Sequence, residues 1–248
     1  MEKVINRLLI FALLATICFG VLTYKFRNDE HGILAQEELL FEVCDYIDID
    51  VSRMTVTIVP YDEPYIKAVY KNDKPLDFEI GDNSISLTES SKLVVSLFTG
   101  DESDYMLYVY LPERAYREIS VYTGVGGINA GRIDAQTITV GSNSGDILFD
   151  DAISRMNIST ISGEVTVDFE MVADGTEIHS RRGNVNLSVS SEAQFSVDFE
   201  TKSGNCDCSL SKFAPIGNYT YNFNGGGRSV AAYVEEGTLS INEKAANA

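Results

Sequence analysis

Any chemistry in this chain has to come from a small stock of reactive side chains. Cys206-x-Cys208 spaces two thiols as a metal site can, but further ligands are not identifiable, and other copies of the surrounding repeat carry Ile, Val, Leu or Phe at these positions. The pair therefore reads as buried core, and with Cys18 in an apolar run and Cys44 far upstream the four cysteines make no disulfide framework. Of the two histidines, His31 lies in a polar stretch, and His179 follows inward-facing Ile178 and so points to solvent, which leaves a Ser-His-Asp arrangement without support. Carboxylates are abundant. Stacking of the repeat places Asp146 beside Glu164 and Glu177 beside Asp198, where a calcium ion or a basic neighbour would relieve the repulsion. The segment Tyr219-Thr220-Tyr221-Asn222-Phe223-Asn224 puts Tyr219, Tyr221 and Phe223 on one side. These three residues form a candidate ligand-contacting surface, able to stack on sugars or anchor a protein partner, although the same stripe would serve to plug the end of a stack. The following Gly225-Gly226-Gly227 lacks the Lys and Ser/Thr of a phosphate loop. No catalytic residue, cofactor site or metal site is assigned.

The elements that position these side chains come from a register repeated six times: two alternating apolar residues, four spacers, a glycine, and two more alternating apolar residues. The copies centre on Gly126, Gly145, Gly163, Gly183, Gly204 and Gly237, with intervals of 19, 18, 20, 21 and 33 residues, so the last interval carries an insertion. Alternation places every second side chain on one face of a strand. Each copy thus predicts two short strands joined at a glycine that can take positive φ. Of the 24 inward positions 23 are apolar, Thr176 being the exception, and a single copy cannot bury that face alone. A period near 20 residues fits a parallel β-solenoid of about six to seven rungs. A weaker seventh copy, Ile47-x-Ile49, Met54, Val56-x-Ile58, carries methionine in place of the glycine. Between Pro60 and Pro112 the period is lost, and the alternating segments Ile66-Ala68-Tyr70, Phe78-Ile80, Ile85-Leu87 and Met106-Tyr108-Tyr110 predict an antiparallel meander that covers the open end or offers a binding platform.

Leu8 to Tyr24 is a 17-residue run without charge, flanked by Lys3, Arg7, Lys25 and Arg27. It predicts one N-terminal transmembrane or signal helix. The expected organisation is a signal anchor or signal peptide over 1–27, a linker over 28–45, the first rung and meander over 46–118, and the repetitive solenoid over 119–248 in one ectodomain with them. Residues 1–27 carry +3 of a net −18, which leaves −21 for the rest and argues against nucleic-acid binding.

Leu111-Pro112-Glu113 leading to Ile119-Ser120-Val121-Tyr122-Thr123-Gly124, followed by Ser144-Gly145-Asp146-Ile147, Ser162-Gly163-Glu164-Val165 and Ser203-Gly204-Asn205-Cys206, resembles a bacterial cell-envelope domain of unknown function that goes under the label putative adhesin. The resemblance covers roughly residues 45 to 241 and departs from the pattern at Arg182, which stands where serine would precede Gly183. It implies a β-solenoid exported to, or tethered at, a bacterial cell surface, and carries over no functional residues. The expectation is a non-enzymatic, membrane-tethered, extracytoplasmic adhesin-like interaction or envelope-maintenance module, secreted instead if the N-terminal segment is cleaved. Its partner would be an unknown envelope protein or glycan. The alternative is an enzyme acting on a cell-wall or extracellular polysaccharide, since β-helices host such chemistry.

Overall fold

The computed structural model describes residues 35–72, 75–89, 105–210 and 217–244. His31 and the Leu8 to Tyr24 run lie outside the described residues. No helix within them is long and apolar enough to cross a membrane. The chain is all-β. Its strands are β1 (Ala35–Phe41), β2 (Tyr46–Val51), β3 (Thr55–Tyr61), β4 (Ile66–Asn72), β5 (Leu76–Ile80), β6 (Ser84–Glu89), β7 (Met106–Pro112), β8 (Ala115–Thr123), β9 (Ile128–Ala130) and β10 (Asp134–Ser142). They continue as β11 (Ile147–Ala152), β12 (Arg155–Ser162), β13 (Val165–Phe169), β14 (Thr176–Arg182), β15 (Val185–Val189), β16 (Phe195–Thr201), β17 (Asn205–Cys208), β18 (Tyr219–Phe223), β19 (Arg228–Glu236) and β20 (Thr238–Glu243).

Two ten-stranded sheets result, in the orders β1-β4-β7-β3-β9-β11-β13-β15-β20-β17 and β18-β16-β19-β14-β12-β10-β8-β2-β6-β5. Each repeat copy gives one strand to each sheet, and strands from successive levels pair in parallel. All 24 inward positions are buried, with the polar exception, Thr176, satisfied: its hydroxyl donates to the Ala173 carbonyl at 3.1 Å and accepts from the Met156 amide at 3.4 Å. The weaker copy is a genuine level, β2 with β3, and Met54 is fully buried at its turn.

The structure departs from the sequence reading at three points. The first is the order of the levels: β19 and β20 pair with β14 and β15 on one side and with β16 and β17 on the other, so the last copy in sequence is the penultimate level in space. The insertion makes this possible. After β18 the chain reverses through Asn224, Gly225, Gly226 and Gly227, at φ of 48°, 95°, 76° and 134°, a run of left-handed backbone that glycine adopts without a Cβ clash. Glu177 and Asp198 are consequently not neighbours; Ala231 lies between them. Asp146 and Glu164 are adjacent as expected, and Asp146 accepts the Glu164 amide at 2.8 Å while Asn186 donates to the Glu164 carboxylate.

The second departure concerns the segment after Pro60. β4, β5 and β1 do pair antiparallel, but β6 and β7 run parallel to β2 and β3 and extend the stack by another level. Within β7 the inward residues are Leu107, Val109 and Leu111, so Met106, Tyr108 and Tyr110 face outward. The third concerns why the turns need glycine. Of the six, only Gly183 and Gly237 have positive φ. The common requirement is close approach: a Cβ at Gly126 would lie 2.0 Å from the Met54 carbonyl oxygen, at Gly145 1.8 Å from that of Gly126, at Gly163 2.4 Å from that of Gly145, at Gly183 1.9 Å from that of Gly163, at Gly237 2.3 Å from that of Gly183, and at Gly204 2.5 Å from that of Gly237. The glycines form one column, in the spatial rather than the sequence order.

A second column runs beside it, three residues before each glycine. The buried Thr123 hydroxyl donates to the Met54 carbonyl (3.1 Å) and accepts the Gly126 amide (3.1 Å), and Ser142 repeats this with the Gly126 carbonyl (3.3 Å) and the Gly145 amide (2.7 Å). Thr160, Ser180 and Thr201 continue the column, and Val51 and Val234 occupy it at their own levels. Thr123, Ser142 and Thr201 each tie a turn amide that would otherwise be buried unpaired, Ser180 donates instead to the Gly183 carbonyl at 3.0 Å, and the Thr160 hydroxyl has no partner.

Candidate functional site

Tyr219, Tyr221 and Phe223 are brought together, on the core side of β18. That strand lies antiparallel on β16, which pairs Phe199 with Tyr219, Val197 with Tyr221 and Phe195 with Phe223. The Phe195 and Phe223 rings stack at 4.6 Å, Tyr219 meets Phe199 at 5.4 Å, and Tyr221 meets Phe223 edge-on at 4.7 Å. The Tyr219 hydroxyl lies 2.6 Å from Cys206 Sγ, and burial pushes both groups above their ordinary pKa values. Phe223 is buried and the two tyrosines are half-buried against the core, while Thr220 and Asn222 take the exposed side. These contacts fit the end-plug role weighed for the stripe. Cys44, Cys206 and Cys208 are buried thiols outside any disulfide, and among the described residues no group of three or more His, Cys, Asp or Glu side chains is placed to hold a metal ion. His179 is exposed as expected, 5.9 Å from the Tyr233 ring.

A more open aromatic surface lies on the outer face of the other sheet. The outward phase of β3, β4 and β7, together with the loop before β4, gathers Tyr61, Tyr65, Tyr108 and Tyr110 around Lys67. Cross-strand pairing sets Lys67 opposite Tyr110 and Tyr108 beside Thr57, so the alternation that buries Leu107 and Val109 projects the tyrosines outward. Tyr61 lies 5.8 Å from Tyr65 and 5.5 Å from Tyr110, and Tyr108 stacks along Tyr110 at 6.4 Å. Lys67 Nζ sits 4.4 Å from the Tyr110 ring centre and 5.0 Å from that of Tyr61, within cation–π range of both. The Tyr61 and Tyr65 hydroxyls share a 3.3 Å hydrogen bond, which pushes the Tyr65 phenol above its ordinary range, and the Tyr108 hydroxyl donates to Met106 Sδ at 3.6 Å. All four rings are half-buried. The result is a rigid platform of amphipathic rings with a cation at its centre, on a chain whose net charge is strongly negative. Large rings with few rotatable bonds are suited to contact with a partner because little conformational entropy is lost. The signal for this surface was present in the sequence as Met106-x-Tyr108-x-Tyr110; what was missing was the phase.

Two stretches of the chain, residues 44–153 and 119–241, match the Toastrack DUF4097 family. The chain belongs to that family. No curated protein matches the sequence. Among solved structures, the Toastrack chain is similar to a "putative cell adhesion protein" from Clostridium sporogenes, with 13% identity over 85% of this chain and 99% of that one, at a TM-score of 0.53. It also overlaps a "putative lipid binding protein" from Parabacteroides distasonis (14% identity, 87% and 98% covered, TM-score 0.37) and a "putative adhesin" from Bacteroides fragilis (11%, 85% and 97%, 0.34). The Clostridium structure shares the fold across nearly its whole length. At this identity the Toastrack likeness is one of architecture, and roles must come from the surface of this chain.

Proposed function

We propose that this Toastrack chain is a non-enzymatic, extracytoplasmic interaction module, tethered to the cell membrane through Leu8 to Tyr24, that engages an envelope partner in the manner of an adhesin. The observation that carries the reading is the tyrosine platform: four rings and Lys67 held rigidly on an outward sheet face where the fold itself needs no aromatic. The charge-free N-terminal run, ten residues before β1 begins, and the acidic remainder support export and tethering. The test is binding of residues 28–248 to an array of cell-wall fragments and envelope glycans, with the products weighed by mass spectrometry, beside crosslinking in cells from position 65 to capture a protein partner. A Tyr108→Ala, Tyr110→Ala double variant should lose whichever partner is found while keeping its melting temperature within a few degrees. Shortened glycans would overturn the non-enzymatic reading, and a partner retained by the double variant would remove the platform from it.

A further inference from the structure

The outer face of the second sheet carries a different arrangement, independent of the tyrosine platform. Parallel register aligns Tyr122 (β8), Gly141 (β10), Ser159 (β12), His179 (β14) and Tyr233 (β19) in one outward row. The next row holds Asn143, Ile161, Arg181 and Glu235. Tyr122 leans over Gly141: a Cβ there would lie 3.1 Å from the ring and 3.1 Å from Ser159 Oγ, so glycine leaves the ring room to settle across the neighbouring strand. Between Tyr122 and the His179–Tyr233 pair the floor drops to Ser159. Tyr122 and His179 stand three strands apart, about 14 Å at the usual strand spacing. Tyr122 is 41% and Ile161 40% exposed, so both present apolar surface on the outer face. The hollow between the aromatic walls is lined by Ser159 and Ile161, with Asn143 and Arg181 at its rim.

The polar groups around this hollow are uncommitted. Among the described residues the side chains of Asn143, Ser159, His179 and Arg181 make no hydrogen bond or ion pair, whereas Glu235 is held by Lys202 at 3.0 Å. A guanidinium without a partner, on a chain with nearly twice as many acidic as basic residues, marks the place where a single carboxylate is attracted rather than repelled. Aromatic walls facing a hydroxyl and an amide suit a ligand that is apolar on its ring faces and polar at its edge.

We propose that this hollow binds a hexuronic acid unit of an acidic polysaccharide. The C–H face of the pyranose packs on Tyr122, its hydroxyls meet Ser159, Asn143 and His179, and its carboxylate pairs with Arg181. A polyanion of high charge density is disfavoured by the acidic surroundings, but isolated carboxylates along a sugar chain are not.

The test is calorimetric titration of the full-length protein in detergent with a tetrasaccharide of glucuronic acid and with its neutral glucose counterpart. The acidic sugar should bind at least tenfold more tightly. Tyr122→Ala should weaken both by tenfold or more, and Arg181→Gln should abolish the preference for the acid; neither should shift the melting temperature. Tyr108→Ala on the opposite sheet should change nothing. Absence of heat with the parent protein, or equal affinity in Arg181→Gln, overturns the proposal. Binding that is lost in Tyr108→Ala and kept in Tyr122→Ala overturns it while leaving the adhesin reading standing; an envelope partner captured at the tyrosine platform with no uronate binding does the same.

Discussion

Replacing Gly145 by alanine puts the close-packed turn column to a quantitative test. The new methyl would sit 1.8 Å from the Gly126 carbonyl oxygen and 2.3 Å from its carbon, both well inside the 3.0 Å that Cβ atoms tolerate. Both partners are backbone, so no side chain can rotate away. The levels must part locally, and the bonds nearest the strain are Ser144 N to Gly124 O (3.2 Å) and Gly145 N to Ser142 Oγ (2.7 Å). Overpacking costs about 1–3 kcal/mol, and two weakened hydrogen bonds about 1 kcal/mol each, so roughly 3–5 kcal/mol is expected. In a domain of this size each kcal/mol moves the melting temperature by about 2–4 °C, giving a drop of roughly 6–20 °C. The assay is a thermal melt followed by circular dichroism, with two companions. Gly163→Ala, whose methyl would meet the Gly145 oxygen at 2.4 Å, should fall between the two extremes, and Gly131→Ala, with Pro60 Cδ at 3.5 Å as its nearest neighbour, should be nearly neutral. If Gly145→Ala melted within 2 °C of Gly131→Ala, close approach would not be the reason for the column.

The hydroxyl column predicts opposite outcomes for like substitutions: Thr123→Val strands the Gly126 amide and should cost about 1–3 kcal/mol in denaturant unfolding, whereas Thr160→Val, at a hydroxyl without a partner, should be neutral or stabilising. Burial pushes the phenols of Tyr116 and Tyr70 up to about 12, the latter with help from Glu37. Stability from these groups is therefore complete below their ordinary pKa near 10 and is lost as pH rises toward about 12, so melting temperature should fall across that window and less so in Tyr116→Phe. Tyr219→Ala, which removes the ring on Phe199 and the hydroxyl beside Cys206, should cost about 2 kcal/mol in the same melts. Loss of a ligand with unchanged melting would instead make the β18 stripe a binding surface.

Much of the architecture was legible because a buried strand face leaves a period-two record and a stack leaves a period of one level. Ile138, Val140, Ile147 and Phe149 could be assigned inward from spacing alone, and so could Met156, Ile158, Val165 and Val167. Met54 was recognisable as a turn residue in spite of its side chain. Three things were not legible. A segment such as Met106 to Leu111 is apolar on both faces, so alternation gives two phases and only packing chooses between them. Spatial order is invisible to a repeat, because every copy offers a similar edge to every other; the 33-residue interval signalled an insertion without saying that the chain would return inside the stack. Surface sites depend on which outward residues fall into one row across four or five strands. Tyr122 and His179 are 57 positions apart, and nothing local links them.

The interleaved end of the stack makes closure of the domain wait on β19 and β20. In an ordinary solenoid each level is laid on the one before it, so an unfinished chain is a shorter but well-formed object. Here assembly of that kind stops at β15. β16 and β17 emerge next yet have no seat until Arg228 to Glu243 has slid between them and the rest, and until then two bare edges face each other. A product cut short before Arg228 would expose open strand edges of the sort that invite aggregation and proteolysis. The seating of β16 and β17 therefore depends on β19 and β20, which follow them in the chain.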